Sequence, residues 1–297
     1  MSELKNKRVV ITGACGIFGQ WIAAAFAKAG AQICLSDNRA DKLALMLTTL
    51  PGSGHITHFT ELTDSPSIDA LVDHVAEAWN GVDIVVNNAG VYPSGHLIDL
   101  PVEEWDRIWA VNLRAPFLVA RGFARLMAAR KIGGSIINIG SGAARNMRQT
   151  TVHYCASKTA LERLTKGMAI EFAPFGIRVN IVEPGFASGS EVSPLSEAHV
   201  SRVTSNIPLG RASGPSDAPS AIMYLSSKNA EFVTGAVLSV DGGNSIGPAA
   251  IYSDAAQERP ATPTPQSAPS WAGHFDIVAE AIGLTPASPL AGVSKDL

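Results

Sequence analysis

The chain has 297 residues, 46% apolar and 16% charged, enough for one large domain or two small ones, which excludes disorder along its whole length. Its 23 Lys and Arg against 26 Asp and Glu leave a formal charge of -3, so there is no basic field to attract nucleic acid. Cys15, Cys34 and Cys155 share no CxxC or His/Cys spacing, and neither a disulfide framework nor a metal site is expected.

Residues 1–8 are polar and lead into an apolar run without the ordered regions of a secretory leader. The most apolar stretch, 21–31, contains Lys28 and is shorter than the roughly 20 residues that a spanning helix needs. The expectation is a cytoplasmic protein with no membrane or nucleic-acid partner. Short β-branched runs then alternate with helical patterns, at 8–12, 31–36, 55–61, 82–87, 135–140, 177–183 and 236–240. Runs as continuous as Val82-Asp83-Ile84-Val85-Val86 fit strands covered on both faces. The pattern predicts an α/β fold over residues 1–247, a doubly wound, parallel, seven-stranded sheet with helices on both sides. Seven of the 18 prolines fall in 248–297, a composition that resists regular structure. Within it, 274–284 places Phe275, Val278, Ala279 and Ile282 at helical spacing. This C-terminal extension is expected to be loosely ordered or to dock as an arm on a neighbouring subunit.

Directly after the first strand comes Thr12-Gly13-Ala14-Cys15-Gly16-Ile17-Phe18-Gly19, opening the helical run 20–29. Glycines at such a turn let the backbone approach a pyrophosphate, whose charge meets the amides of the helix N-terminus. Asp37 ends the second strand 18 residues after Gly19, placed to accept the ribose hydroxyls of NAD and to repel the 2'-phosphate of NADP. The reading is a Rossmann-like fold that binds NAD. Arg39 is read either as a rival phosphate ligand or as a solvated residue at a helix start.

Further along stand Asn87-Asn88-Ala89-Gly90, Asn112, Ser141, Tyr154-x-x-x-Lys158, Pro184-Gly185 and Asp241-Gly242-Gly243. Tyr154 and Lys158 lie at i and i+4, which sets them on one helix face. A phenol ionises near ~10 unaided, and a neighbouring ammonium together with an oxidised nicotinamide is expected to bring Tyr154 down towards working pH. These motifs, in this order over residues 6–247, resemble the short-chain dehydrogenase/reductase family. The resemblance implies that Tyr154 is the general acid/base and that Lys158 holds the nicotinamide ribose. It also implies that Ser141 bonds the substrate oxygen and that Asn112 orders a water in a proton relay. It places Glu61 and Leu62 at the adenine, Asn88, Ala89 and Gly90 along its ribose, and Pro184, Gly185 and Ala187 at the nicotinamide. Gly13, Cys15, Gly16, Ile17, Phe18 and Gly19 form the cofactor loop. Each catalytic side chain also has a plain structural reading: Ser141 as a turn cap, Asn112 as a buried polar contact, Tyr154 and Lys158 as a helix face.

The resemblance implies an NAD-linked oxidoreductase of secondary alcohols and ketones, assembled as a homotetramer or dimer through the helices around 105–129 and 154–172. The spacing of Gly13, Gly16 and Gly19 is that of the family's extended branch, so an epimerase or dehydratase is an alternative, as is a regulator that binds NAD without turnover. Ser188 or Ser190 stands in for the threonine that commonly follows Pro-Gly, and 190–211 reads as a lid. Val91, Tyr92, Phe186 and the loop 142–152 are expected to line the substrate pocket. In that loop Arg145 and Arg148 are read as carboxylate ligands, or as residues facing solvent or a subunit. Cys15 and Cys155 are read as packing residues before a redox pair, and His153 as structural.

Overall fold

The seven expected strands form within two residues of their expected limits. They are β1 (Arg8–Thr12), β2 (Gln32–Asp37), β3 (Ile56–Phe59), β4 (Ile84–Asn87), β5 (Ser135–Ile139), β6 (Arg178–Pro184) and β7 (Val237–Val240). All pairs are parallel, in the order β3-β2-β1-β4-β5-β6-β7. This is a computed structural model, which describes residues 2–188 and 196–247. The expectations for the extension 248–297 lie outside the described residues.

Alternation along β1 shows why both faces are covered. Val9 and Ile11 point to one side, where Ile22 and Phe26 of α1 (Ile17–Lys28) and Ile222 of α8 (Asp217–Ser226) pack. Val10 points to the other, against Leu71 of α3 (Ser65–Trp79) and Phe123 of α5 (Ala115–Ala129). Phe26 and Phe123 are fully buried, and each contributes roughly 1.5–3 kcal/mol by leaving water. The remaining α-helices among the described residues are α2 (Ala40–Thr49), α4 (Val102–Trp109), α6 (Val152–Phe172) and α7 (Glu197–Ser205).

Two local features position the site. Strand order reverses between β1 and β4, so the loops after these strands diverge and open a crevice at their carboxyl ends, where doubly wound sheets bind ligands. Between α4 and α5 the helix runs as a π-turn, Ala110–Arg114, with the Ala115 N–H bonded to the Ala110 carbonyl. Pro116 has no N–H for the Asn112 carbonyl and crowds it, which disfavours the ordinary helical register there. Asn112 sits within this widened turn, fully buried.

Candidate active site

At the crevice, Gly13 has φ +62, and a Cβ there would lie 2.7 Å from the Ala89 Cα. A Cβ on Gly19 would run into the Gly13 carbonyl oxygen and stand 2.7 Å from that of Ala14. The loop is thus closed on itself and on the turn after β4 in a way that only glycine permits at these two positions. Asn88 donates its side-chain amide to the carbonyls of Thr12 (3.0 Å) and Gly13 (2.9 Å). Thr12, which sequence reasoning passed over, accepts the Asn88 and Ala89 N–H groups on Oγ1. Helix α1 begins after Gly16 with no side-chain cap, so amides at its N-terminus remain for an anion. Ile17 is half-buried, and Phe18 packs edge-on against Trp21, ring centroids 5.3 Å apart.

Asp37 is buried at the end of β2 and accepts the Cys15 N–H at 3.0 Å. Arg39 stands at the start of α2, partly exposed, but is committed to Asp37: its Nε and Nη2 bond the two Asp37 oxygens at 2.8 and 3.1 Å. The carboxylate expected to receive a ribose therefore already holds a guanidinium. Cys15 is buried, and burial, followed by the charge of Asp37, pushes its thiol up to about 11. That keeps it protonated at neutral pH and agrees with packing over redox chemistry. Glu61 spends its carboxylate on its own turn, accepting from the Thr63 N–H (3.1 Å), the Thr63 hydroxyl (2.8 Å) and Asn38 Nδ2 (3.3 Å). The Thr63 amide chiefly holds it below its usual value. Leu62 packs against the core beside α3 and α5.

The four expected catalytic side chains lie around the ends of β4 and β5. Lys158, buried on α6, donates to the Ile139 carbonyl at 2.8 Å, and burial lowers it to about 8. Its Nζ stands 5.9 Å from the centre of the Tyr154 ring. A Cβ on Gly90 would come within 3.5 Å of both that Nζ and Asn112 Oδ1, so the turn after β4 abuts the same group. Ser141 Oγ accepts the Ala143 N–H at 3.2 Å and caps a short turn, Gly142–Ala144. Its side-chain hydrogen bonding also pulls the ionisation of the Tyr154 phenol down, so the capping and functional readings are compatible. Asn112 accepts the Val91 N–H at 2.8 Å and donates to the Val91 carbonyl at 2.8 Å and to Ser157 Oγ at 3.1 Å. Ser157 in turn donates to the Tyr154 carbonyl at 2.8 Å. Sequence reasoning missed it, although it stands one helical turn from Tyr154 and beside Lys158.

The protein's own groups hold Tyr154 above its ordinary value, whereas the expected lowering rests on the ammonium together with an oxidised nicotinamide. Burial pushes the phenol up; Ser141 and, more weakly, Arg148 pull it back, while Cys155 and Tyr92 oppose them. Lys158 is not among these leading contributors. Tyr92 meets Tyr154 edge-on at 6.3 Å between ring centroids.

On the far side, the Gly185 N–H donates to the Val240 carbonyl at 2.9 Å, and the Phe186 carbonyl accepts from Ser213 at 2.7 Å. Pro184 and Ala187 are half-buried beside them, and Ser188 is exposed. Ser190 and the first part of the expected lid lie outside the described residues. Arg145 is exposed, as one of its two readings expected, yet it is not free for a substrate carboxylate: its Nη2 lies 2.6 Å from Glu183 Oε2. Arg148 is exposed, and His153 is buried with Nε2 3.1 Å from the Pro93 carbonyl.

A family model described as "Enoyl-(Acyl carrier protein) reductase" matches residues 13–245. The chain belongs to the short-chain dehydrogenase/reductase family. It is 35% identical over 245 residues to a 5-keto-D-gluconate 5-reductase of Escherichia coli (strain K12), covering 81% of this chain and 96% of that protein. To a galactitol 2-dehydrogenase of Agrobacterium fabrum it is 32% identical over 256 residues, covering 82% and 98%. Among solved structures, a short-chain type dehydrogenase/reductase from Mycobacterium marinum superposes with a TM-score of 0.74 at 33% identity, covering 82% and 96%. The protein is an NAD(P)-dependent oxidoreductase with the family's Rossmann-like fold. No helix among the described residues is long and apolar enough to cross a membrane.

Proposed function

We propose that this enzyme moves a hydride between NAD(H) and a secondary alcohol or ketone, with Tyr154 as the group that gives and takes the proton. The observation that carries this reading is the convergence of Ser141, Tyr154, Lys158 and Asn112 beside a glycine cradle that opens on the uncapped end of α1. That cradle fits a pyrophosphate, and the residues to hold the dinucleotide are Gly13, Gly16, Gly19, Asp37, Asn88, Lys158 and Gly185. A bound nicotinamide supplies the hydride acceptor or donor. Ser141 Oγ holds the substrate oxygen against the Tyr154 hydroxyl. In reduction Tyr154 releases its proton to that oxygen, and in oxidation it takes the proton back. Lys158 rests on the Ile139 carbonyl and favours the phenolate form when it carries its own proton.

Asp37 supports NAD over NADP, because a buried carboxylate disfavours a 2'-phosphate; its pairing with Arg39 makes the choice narrower than Asp37 alone implies. The names of the relatives support an open-chain polyol or a keto sugar acid as the first substrates to try, and Arg148 is an exposed cation available to an acidic one. Exposed Trp105, Phe117 and Ile170 on α4, α5 and α6 support a homo-oligomer, and the reading places the enzyme in the cytoplasm. Galactitol and D-gluconate with NAD or NADP, and 5-keto-D-gluconate with NADH or NADPH, test the activity through nicotinamide absorbance. Turnover with the NAD pair is expected. Turnover confined to NADP(H) would overturn the cofactor choice, and failure of every carbonyl and alcohol in a wider panel would overturn the reaction.

A further inference from the structure

Glu183 carries a carboxylate with no solvent exposure, two residues before Gly185, and one of its oxygens, Oε1, has no hydrogen-bond partner. The other, Oε2, accepts from Ser239 Oγ at 3.1 Å and faces Arg145 Nη2 at 2.6 Å. The same Nη2 donates to Ser239 Oγ at 2.6 Å and to Ser245 Oγ at 2.8 Å. One guanidinium nitrogen thus joins β6, β7 and the segment after β7. Burying a carboxylate is costly, and a surface arginine that merely faced solvent would give no reason to retain one.

Arg145 ends the turn that Ser141 begins. The Ala144 N–H bonds the Ser141 carbonyl at 2.9 Å, and the Arg145 N–H bonds that of Gly142 at 3.2 Å. Thr159 on α6 donates to the Ala144 carbonyl at 2.8 Å. The turn is therefore a rigid piece with the serine at one end and the arginine at the other. Asn146 adds a second tie, from Nδ2 to the Ser245 carbonyl at 2.9 Å. The approach is close: a Cβ on Gly142 would lie 2.6 Å from the Ser245 Cβ. Ser245 is itself held by its N–H on Asp241 Oδ2 at 2.9 Å.

We propose that Arg145 is a positioning residue, which through Glu183, Ser239 and Ser245 fixes the turn carrying Ser141 and so sets where the serine hydroxyl meets Tyr154. This rests on the reading of Ser141 and Tyr154 given above. The clamp registers the substrate side of the site against β6, whose end leads into Pro184-Gly185. Small misplacements of such groups are costly to rate, by about a hundredfold for ~1 Å.

The test reads Tyr154 itself and needs no substrate. Tyr154 is faced by Lys158 and Cys155 on α6, by Ser141 and Arg148 on the loop after β5, and by Tyr92 after β4. Phenolate absorbance is followed against pH with saturating NAD or NADP, whichever binds, and the Tyr154→Phe protein is subtracted. Ser141→Ala is expected to move the Tyr154 step up by roughly 0.5–1 pH unit, as loss of one hydrogen bond requires. Arg145→Met is expected to move it in the same direction, and the Ser141→Ala/Arg145→Met protein no further than Ser141→Ala alone. Arg145→Lys is expected to restore part of the shift. If Arg145→Met fails to fold, Arg145→Met/Glu183→Gln removes both charges together and gives the same reading. A lower melting temperature with the Tyr154 step unmoved would make Arg145 structural only and overturn the proposal; additive shifts would overturn it too, by showing direct charge effects. An unmoved step in Ser141→Ala would instead overturn the Ser141–Tyr154 coupling beneath it.

Discussion

Replacing Lys158 by Met separates what this lysine costs the fold from what it does for the site. Burial lowers the ammonium from 10.5 to about 8, a shift of about 2.5 units, equivalent to about 3 kcal/mol at ~1.36 kcal/mol per unit. Because the folded value is below the unfolded one, the folded state binds fewer protons between about pH 8 and about pH 10.5, and wild-type stability rises with pH across that window. Below it the whole cost of burying the charge is present. Methionine fills a similar volume without a charge but leaves the Ile139 carbonyl without its 2.8 Å donor, a loss of about 1 kcal/mol. The expected result is a Lys158→Met protein that is about 2 kcal/mol more stable than wild type at neutral pH, loses that advantage by about pH 10, and has no turnover. Urea unfolding of both proteins at a series of pH values measures it. A stability difference that stays constant with pH would refute the claim that the buried lysine is held at a depressed value.

Gly19→Ala drives a Cβ into the Gly13 and Ala14 carbonyls; a loss of about 1–3 kcal/mol in thermal or urea unfolding is expected, together with weakened cofactor binding, and wild-type values for both would show that the loop opens freely. Asp37→Ala releases Arg39 from its two hydrogen bonds and removes the charge that disfavours a 2'-phosphate. Preference between NADH and NADPH, titrated by energy transfer from tryptophan, is expected to move towards NADPH by about tenfold or more, about 1.4 kcal/mol; an unchanged ratio would relieve Asp37 of that role.

The strands were legible because a parallel sheet covered on both faces needs near-continuous apolar runs, and such runs form the centre of β1 and most of β4. Tyr154 and Lys158 were legible from helical spacing, and Ser141 and Asn112 from the family's order of motifs. Part of what escaped depends on contacts between distant segments. Arg145 and Glu183 are brought together only when β5 and β6 pair, and neither carries a local sign of it. Arg39 reaches back only two residues to Asp37, yet a charge near a helix start gave no hint that it was committed. The raised phenol of Tyr154 follows from burial, which a motif does not encode. The turn of Glu61 onto Thr63 is local, yet an acidic residue placed by resemblance at the adenine obscured it. The widened turn at Asn112 did have a signal, in Pro116 four residues later.

The central claim is that Tyr154 carries the proton while hydride transfer depends on it and cofactor binding does not. Tyr154→Phe removes one hydroxyl from a half-buried ring and leaves the glycine cradle, Asp37 and Lys158 untouched. Turnover and NADH affinity measured side by side in wild type and Tyr154→Phe test this most directly. The account predicts that turnover falls by a factor of about a hundred or more, as loss of a general acid/base requires, with NADH binding unchanged; turnover retained near the wild-type rate would contradict it.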